Sequence, residues 1–204
     1  MQTIVFIRSV YREEITPLRL DIIRNLVIPA WKAQTDTDFK LVIFCHRNTK
    51  QVLQSLDWNG LTVQFIEVLS HELIHIRKNR CYQQLTNAAD TLQIRYDNDD
   101  YPHHDFIRFT KEQFSEENRK TGLLTYHPTK HVLETGAKYL SQTLWYSAIK
   151  PPNCIVIYNE KPDGVGIFED HHPQMGKYFT YRRYYKIEGF HNMTIHSENL
   201  LNKA

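Results

Sequence analysis

Four apolar runs with strand character, "TIVFI" (3–7), "FKLVIFCH" (39–46), "LTVQFIEV" (61–68) and "TLQIRY" (91–96), are separated by stretches with helical patterning. This alternation constrains the fold more than any other feature. Runs apolar on both faces read as strands buried in a parallel sheet, and parallel neighbours need a crossover, usually a helix, between them. Strand, helix, strand, helix, strand, helix, strand is the pattern of an α/β domain with a mostly parallel sheet. In the first crossover Thr16 fits an N-cap and Pro17 the first helical position, with Leu18, Ile22, Ile23, Leu26, Val27, Ala30 and Trp31 at helical spacing. Pro29 is expected to end or kink that helix early. "NTKQVLQSL" and the stretch from Ser70 to Ala89 supply the next two crossovers.

The second half is more mixed. Phe106, Ile107, Thr110 and Phe114 recur at helical spacing within 104–120, and "TGLLTYH" and "CIVIYNE" read as strands that extend the sheet. With 204 residues and no Gly-, Ser- or Pro-rich linker, repeat or low-complexity tract, one domain over 1–204 is expected. The net charge of +2 argues against a nucleic-acid groove, although "YFTYRRYYK" mixes aromatic and basic residues. Cys45, Cys81 and Cys154 are odd in number and form no CxxC pair, so neither a disulfide framework nor a zinc ribbon is indicated. The first ten residues lack a basic n-region and a long apolar run; the expectation is a cytoplasmic protein with no transmembrane segment.

"DNDD" (97–100) follows the fourth strand directly. In sheets of this class ligands bind beyond the carboxyl ends of the strands. If the chain stays extended there, Asp97 and Asp99 project from one face and Asn98 and Asp100 from the other. Paired carboxylates offer the hard oxygen ligands that Mg²⁺ or Mn²⁺ takes, with phosphate oxygens completing the shell. The plainer alternative is an Asp/Asn-rich turn that solvates its own charges.

"LQIRYDNDDYPHHDFI" resembles the Asp-x-Asp segment of GT-A glycosyltransferases, and more closely a family of bacterial and viral rhamnosyltransferase-like proteins. Arg95, two residues before the first Asp, matches that family's pattern. So does "IPAWKAQTDTDF" (28–39), with Ala30 departing from the usual Ser, and so does the strand "KLVIFCHRNT" after it. The resemblance covers residues 1–110 and thins beyond them. It implies a GT-A-like fold whose half 1–110 binds a nucleoside diphosphate sugar, with 111–204 on the acceptor side and Mn²⁺ or Mg²⁺ as cofactor. Carried onto this chain, Asp97 and Asp99 are the metal candidates, and Arg8, Arg95, Asp97 and Asp100 the nucleotide-sugar contacts. Transfer to an acceptor hydroxyl is the implied reaction; a non-catalytic sugar-nucleotide-binding or interaction module of the same fold is the alternative.

Downstream, "GVGIFEDHHPQM" (164–175) gathers Glu169, Asp170, His171 and His172. On the same resemblance two roles compete. If the enzyme inverts, Asp170 is the base and Glu169 the second candidate; if it retains, His171 or His172 is a metal ligand. A solvated loop explains the cluster equally well. His103 and His104 with that pair would offer a zinc site, but no Cys partner supports it. "HELIH" (71–75) matches the five-residue zinc-hydrolase pattern through His71, Glu72 and His75. No third His follows at the expected spacing, and Arg77, Lys78 and Arg80 crowd the would-be cation, so a zinc peptidase is the lesser enzyme reading.

Overall fold

The computed structural model describes residues 2–9, 14–68, 91–114 and 190–192 with their side chains, and the backbone of residue 115 and of the strands at 121–126, 129–132, 143–145, 154–159, 181–185 and 193–195. The architecture is a mixed seven-stranded sheet with helices, joined by a smaller four-stranded sheet. The strands of the first half are β1 (Gln2–Ser9), β2 (Lys40–Cys45), β3 (Val63–Glu67) and β4 (Thr91–Asp97), all mutually parallel in the order β3-β2-β1-β4. The expected mostly parallel α/β sheet is thus present. A short β5 (Asp100–Pro102) follows β4.

In chain order the remaining strands are β6 (Thr121–Tyr126), β7 (Thr129–Val132), β8 (Thr143–Trp145), β9 (Cys154–Asn159), β10 (Tyr181–Tyr185) and β11 (His191–Ile195). Strand β9 extends the large sheet antiparallel to β4, followed by β6 and then β10. The small sheet has the order β5-β11-β7-β8. Its β5–β11 pairing is antiparallel and sets Asp100 opposite Met193. The chain therefore leaves the large sheet at Asp97 and enters the small one at Asp100.

Strand pleating sorts the side chains of β1 and β4 by face. Val5, Ile7, Leu92, Ile94 and Tyr96 join the main core with Leu41, Ile43 and Trp31. The alternate residues pack on the other face, where Phe6 stacks on Phe44 at 6.0 Å. In register, Phe6 lies beside Arg95 and Arg8 beside Asp97. Cys45 is buried in the core, its thiol pushed up to about 11 chiefly by desolvation, so it stays a protonated thiol.

The first crossover begins as expected: Thr16 caps helix α1 (Pro17–Ile22) by accepting from the Arg19 amide at 3.3 Å. Of the end or kink expected at Pro29, the early end does not occur. A π-helical turn (Ile23–Val27) intervenes, and the Ile28 amide reaches back five residues to the Ile23 carbonyl before helix α2 (Ile28–Lys32) continues. Widening the turn accommodates a proline that has no N–H and would crowd a normal α turn. Helix α3 (Arg47–Gln54) follows β2, and helix α4 (Phe106–Ser115) follows β5. The helical expectation for 70–89 lies outside the described residues. Among the described residues no helix is long and apolar enough to cross a membrane.

Trp31, at the end of α2, is the hub of the core. Its ring meets Phe39 at 5.6 Å, Tyr96 edge-on at 5.3 Å and Phe106 edge-on at 6.4 Å. Just beyond it, Gln34 is buried and donates from Nε2 to the carbonyls of Ala30 at 3.1 Å and His103 at 2.7 Å. Its Oε1 accepts from the Ile107 amide at 3.1 Å, so one side chain satisfies the first turn of α4 and the end of α2 together. The upstream segment "IPAWKAQTDTDF" thus acts as the clamp that fixes the chain just after the aspartates.

Candidate functional site

The "DNDD" segment sits at the carboxyl ends of the parallel strands β1 and β4. It does not remain extended. Residues 98 and 99 form a turn between β4 and β5, so the expected sorting of the four side chains onto two faces of one strand does not occur. Asp and Asn favour such turns because their side chains bond locally and tolerate tight backbone geometry. Each of the four residues is instead held by a different set of partners.

Asp97 pairs with Arg8, whose Nε lies 2.9 Å from Oδ1 and whose Nη2 bonds the same oxygen. Asn98 donates from Nδ2 to the Ser9 hydroxyl at 3.2 Å and accepts from Arg19 Nη1 at 3.0 Å. Asp99 forms an ion pair with the same Arg19 Nη1 at 3.3 Å. Asp100 is 1% exposed and points Oδ2 at Nε2 of the fully buried His191, 3.6 Å away. The turn is therefore tied to β1, α1 and β11 at successive residues. Self-repulsion among the carboxylates, which the sequence left for a divalent ion to relieve, is offset here by Arg8 and Arg19.

His191 closes the arrangement from behind. Its Nδ1 lies 2.6 Å from the Tyr96 hydroxyl, and the two rings meet edge-on at 4.9 Å. Desolvation pushes its pKa down to about 3, against a smaller opposing pull from the charge on Asp97, so the imidazole is neutral at ordinary pH. Burial, with Asp100 adding to it, pushes the Tyr101 phenol up to about 12 and keeps it protonated. Arg95 is buried within β4, one pleat below Asp97 on the same face.

His103, His104 and Asp105 lie together just after β5, with their ligand-type atoms within 4.8 Å of one another. Their bonding is that of a helix start. His103 Nδ1 accepts from the Asp105 amide at 3.2 Å, while Asp105 Oδ1 accepts from Thr35 at 2.7 Å and pairs with Arg108 at 3.0 Å. Those bonds, the Thr35 one first, hold the Asp105 carboxyl below its ordinary range. The other members of the suggested zinc cluster, His171 and His172, lie outside the described residues, as do Glu169, Asp170 and the "HELIH" segment.

Sequence reasoning did not single out Arg19, Tyr96 or His191. A signal for Arg19 was present, because a cation in the first turn of a helix opposes the helix dipole and so suggests a partner elsewhere. For His191 none was available, since its role depends on β11 pairing with β5.

The donor set of the turn, carboxylates with a carboxamide oxygen beside them, is of the all-oxygen kind that suits Mg²⁺ or Mn²⁺ and not a thiolate-seeking metal. Asp97 and Asp99 each share their charge with an arginine.

Known structures share this fold. S. aureus TarS 1-349 in complex with UDP-GlcNAc is similar over 100% of this chain and 61% of that one, with 14% identity and a TM-score of 0.62. The same protein in complex with UDP covers 96% and 61% at 13% identity and a TM-score of 0.58. HddC from Yersinia pseudotuberculosis covers 94% and 92% at 11% identity and a TM-score of 0.54. This chain thus spans about three fifths of the TarS 1-349 chains it matches. No curated protein matches the sequence. The family model described as "Putative rhamnosyl transferase" matches residues 6–199, nearly the whole length, and the chain belongs to that family.

Proposed function

We propose that this protein is a glycosyltransferase that moves a sugar from a nucleoside diphosphate sugar to an acceptor hydroxyl with the help of Mn²⁺ or Mg²⁺. The observation that carries the reading is the "DNDD" turn at the carboxyl ends of β1 and β4, where Asp97 and Asp99 lie beside Arg8 and Arg19. Family membership supports it. In the reaction the acceptor oxygen bonds to the anomeric carbon while the bond from that carbon to the diphosphate breaks, and the diphosphate leaves with the electron pair. A bound divalent ion offsets the charge that builds on the leaving group. If the reaction inverts, Asp170 or Glu169 is the proposed base that takes the acceptor proton; if it retains, no dedicated base is needed, the departing diphosphate takes that proton, and His171 or His172 joins the metal shell.

In this reading residues 1–110 hold the donor and 111–204 face the acceptor. Arg8, Arg95 and Asp100 shape the donor side: Arg8 by holding Asp97, Asp100 through its place on the small sheet. Uridine nucleotides are the first to test because the similar TarS structures contain UDP-GlcNAc and UDP. The family description does not by itself make rhamnose the donor sugar.

Calorimetric titration of nucleoside diphosphates with and without Mn²⁺, followed by turnover of the matching sugar nucleotides, tests the proposal. Binding that strengthens with Mn²⁺ and turnover that is lost in Asp99→Ala are expected. Undiminished turnover in Asp99→Ala would remove the metal site, and turnover indifferent to chelator would leave the charge offset to the arginines. A protein that binds no nucleotide is better read as an interaction module.

A further inference from the structure

We propose that His103, His104 and Asp105 form a binding site for a borderline divalent transition ion, Zn²⁺ foremost, where β5 passes into α4. The site uses no residue of the "DNDD" turn and needs neither a cysteine nor the 171–172 pair. It stands or falls independently of the donor-site reading.

Ligand chemistry separates this cluster from the turn. Two imidazoles with one carboxylate suit zinc and its neighbours in the transition series, whereas all-oxygen shells suit Mg²⁺ and Mn²⁺. One ligand-type atom from each of the three residues lies within 4.8 Å of the other two. His104 Nε2 and Asp105 Oδ2 are 3.2 Å apart. A tetrahedral zinc shell, with bonds of about 2.0–2.1 Å, sets neighbouring N and O ligands roughly 3.3 Å apart, so this pair already spans one edge of such a shell. The ring of His103 lies against that of His104, with centroids 3.9 Å apart and a tilt of 39°, which keeps the second imidazole beside the first.

The backbone beneath the three side chains is fixed. The His103 amide donates to the Phe190 carbonyl at 3.0 Å, the His103 carbonyl accepts from Gln34 Nε2 at 2.7 Å, and the His104 carbonyl accepts from the Thr35 amide at 2.9 Å. Asp105 is oriented as ligating carboxylates usually are, by bonds to its other oxygen. Oδ1 accepts from the Thr35 hydroxyl at 2.7 Å and pairs with Arg108 at 3.0 Å, which leaves Oδ2 turned to His104. Arg108 divides its charge with Glu112 at 3.4 Å, so it does not bar a cation from Oδ2. The His104 side chain is 53% exposed, which lets an ion enter from solvent and lets water complete its shell. His103 joins at the cost of one bond. Its Nδ1 accepts from the Asp105 amide at 3.2 Å, which places its proton on Nε2; coordination through Nε2 moves that proton to Nδ1 and releases the amide, a group at a helix start that water can serve instead.

Zn²⁺ is titrated calorimetrically into the full chain with Mg²⁺ saturating, so that all-oxygen sites are already filled, and Cu²⁺ is bound in its place for electron paramagnetic resonance. The wild type is expected to bind Zn²⁺ and to give a Cu²⁺ spectrum with nitrogen couplings from imidazole. His104→Ala and His103→Ala are each expected to lose one bound Zn²⁺ per chain or to weaken it at least about 10-fold, since losing even an outer-shell partner costs about 10- to 100-fold. Each should also lose one imidazole's coupling from the Cu²⁺ spectrum. By mass action Zn²⁺ should raise the melting temperature of the wild type more than that of either variant. Should His104→Ala fail to fold, His104→Gln carries the same expectations. A wild type that binds no Zn²⁺ under these conditions, or variants at 103 and 104 that keep its stoichiometry, affinity and nitrogen couplings, would overturn the site.

Discussion

Arg8 and Asp97 occupy partnered positions in the parallel pairing of β1 with β4, and their side chains close an ion pair where the two strands reach their ends. The pair is largely shielded from water, so removing one partner takes a close opposite charge away from the other in a poor solvent. Asp97→Ala and Arg8→Ala are each expected to lower stability by about 1–3 kcal/mol. The double variant should lose clearly less than their sum, because the contact between the two is lost only once. Urea denaturation of the four proteins gives the coupling energy, and additive losses would show that the pair contributes little.

Gln34 joins three backbone groups from two helices and the segment between β5 and α4. Gln34→Ala leaves those groups without the side chain that now satisfies them, at a cost of about 1–3 kcal/mol. Gln34→Glu should cost at least as much at neutral pH, since a carboxylate would face the carbonyls of Ala30 and His103, to which Nε2 now donates. Thermal denaturation of both variants checks the order; a benign Gln34→Glu would contradict the bonding described.

Trp31 fills the centre of the main core, yet its buried indole N–H has no hydrogen-bond partner among the described residues. Truncation by Trp31→Ala is expected to cost about 3–5 kcal/mol, the usual range for emptying an aromatic site. Trp31→Phe should cost far less than the lost volume suggests, because it also removes an unsatisfied donor. Chemical denaturation comparing the two decides it, and near-equal losses would argue that the N–H is satisfied.

His191 carries a pH dependence whose sign follows from burial. Its folded pKa, near 3, lies below the ordinary value of about 6.5 that it has when unfolded. Between those values the unfolded chain binds the proton and the folded one does not. The contribution is therefore complete above about pH 6.5 and lost as pH falls toward 3, by up to about 1.4 kcal/mol per pH unit. Urea midpoints at pH 7.5, 6 and 5 should fall more steeply for the wild type than for His191→Gln. Parallel profiles would remove His191 as the titrating group.

Much of this molecule was legible in local pattern. The runs at 3–7, 39–46, 61–68 and 91–96 became β1 to β4 because β-branched and aromatic residues on both faces suit only a covered sheet. Thr16 and Pro17 marked the start of α1 for equally local reasons. Pro29 misled because a proline forbids one hydrogen bond without forbidding a wider turn around it, and whether the helix recovers depends on the core that Trp31 enters. The acidic turn was visible as composition and position.

The partners of that turn were not. Asp97, Asp99 and Asp100 are near-identical in sequence terms, yet one belongs to Arg8 on β1, one to Arg19 on α1, and one to the surroundings of His191 on β11. By itself the sequence determined the order of strands and helices and where the charges cluster, since propensity and periodicity are short-range. Only the tertiary structure decided which cation meets which carboxylate and which histidine is buried neutral. Those outcomes depend on parallel register and on crossovers that bring residues about 80 to 95 positions apart within hydrogen-bonding reach.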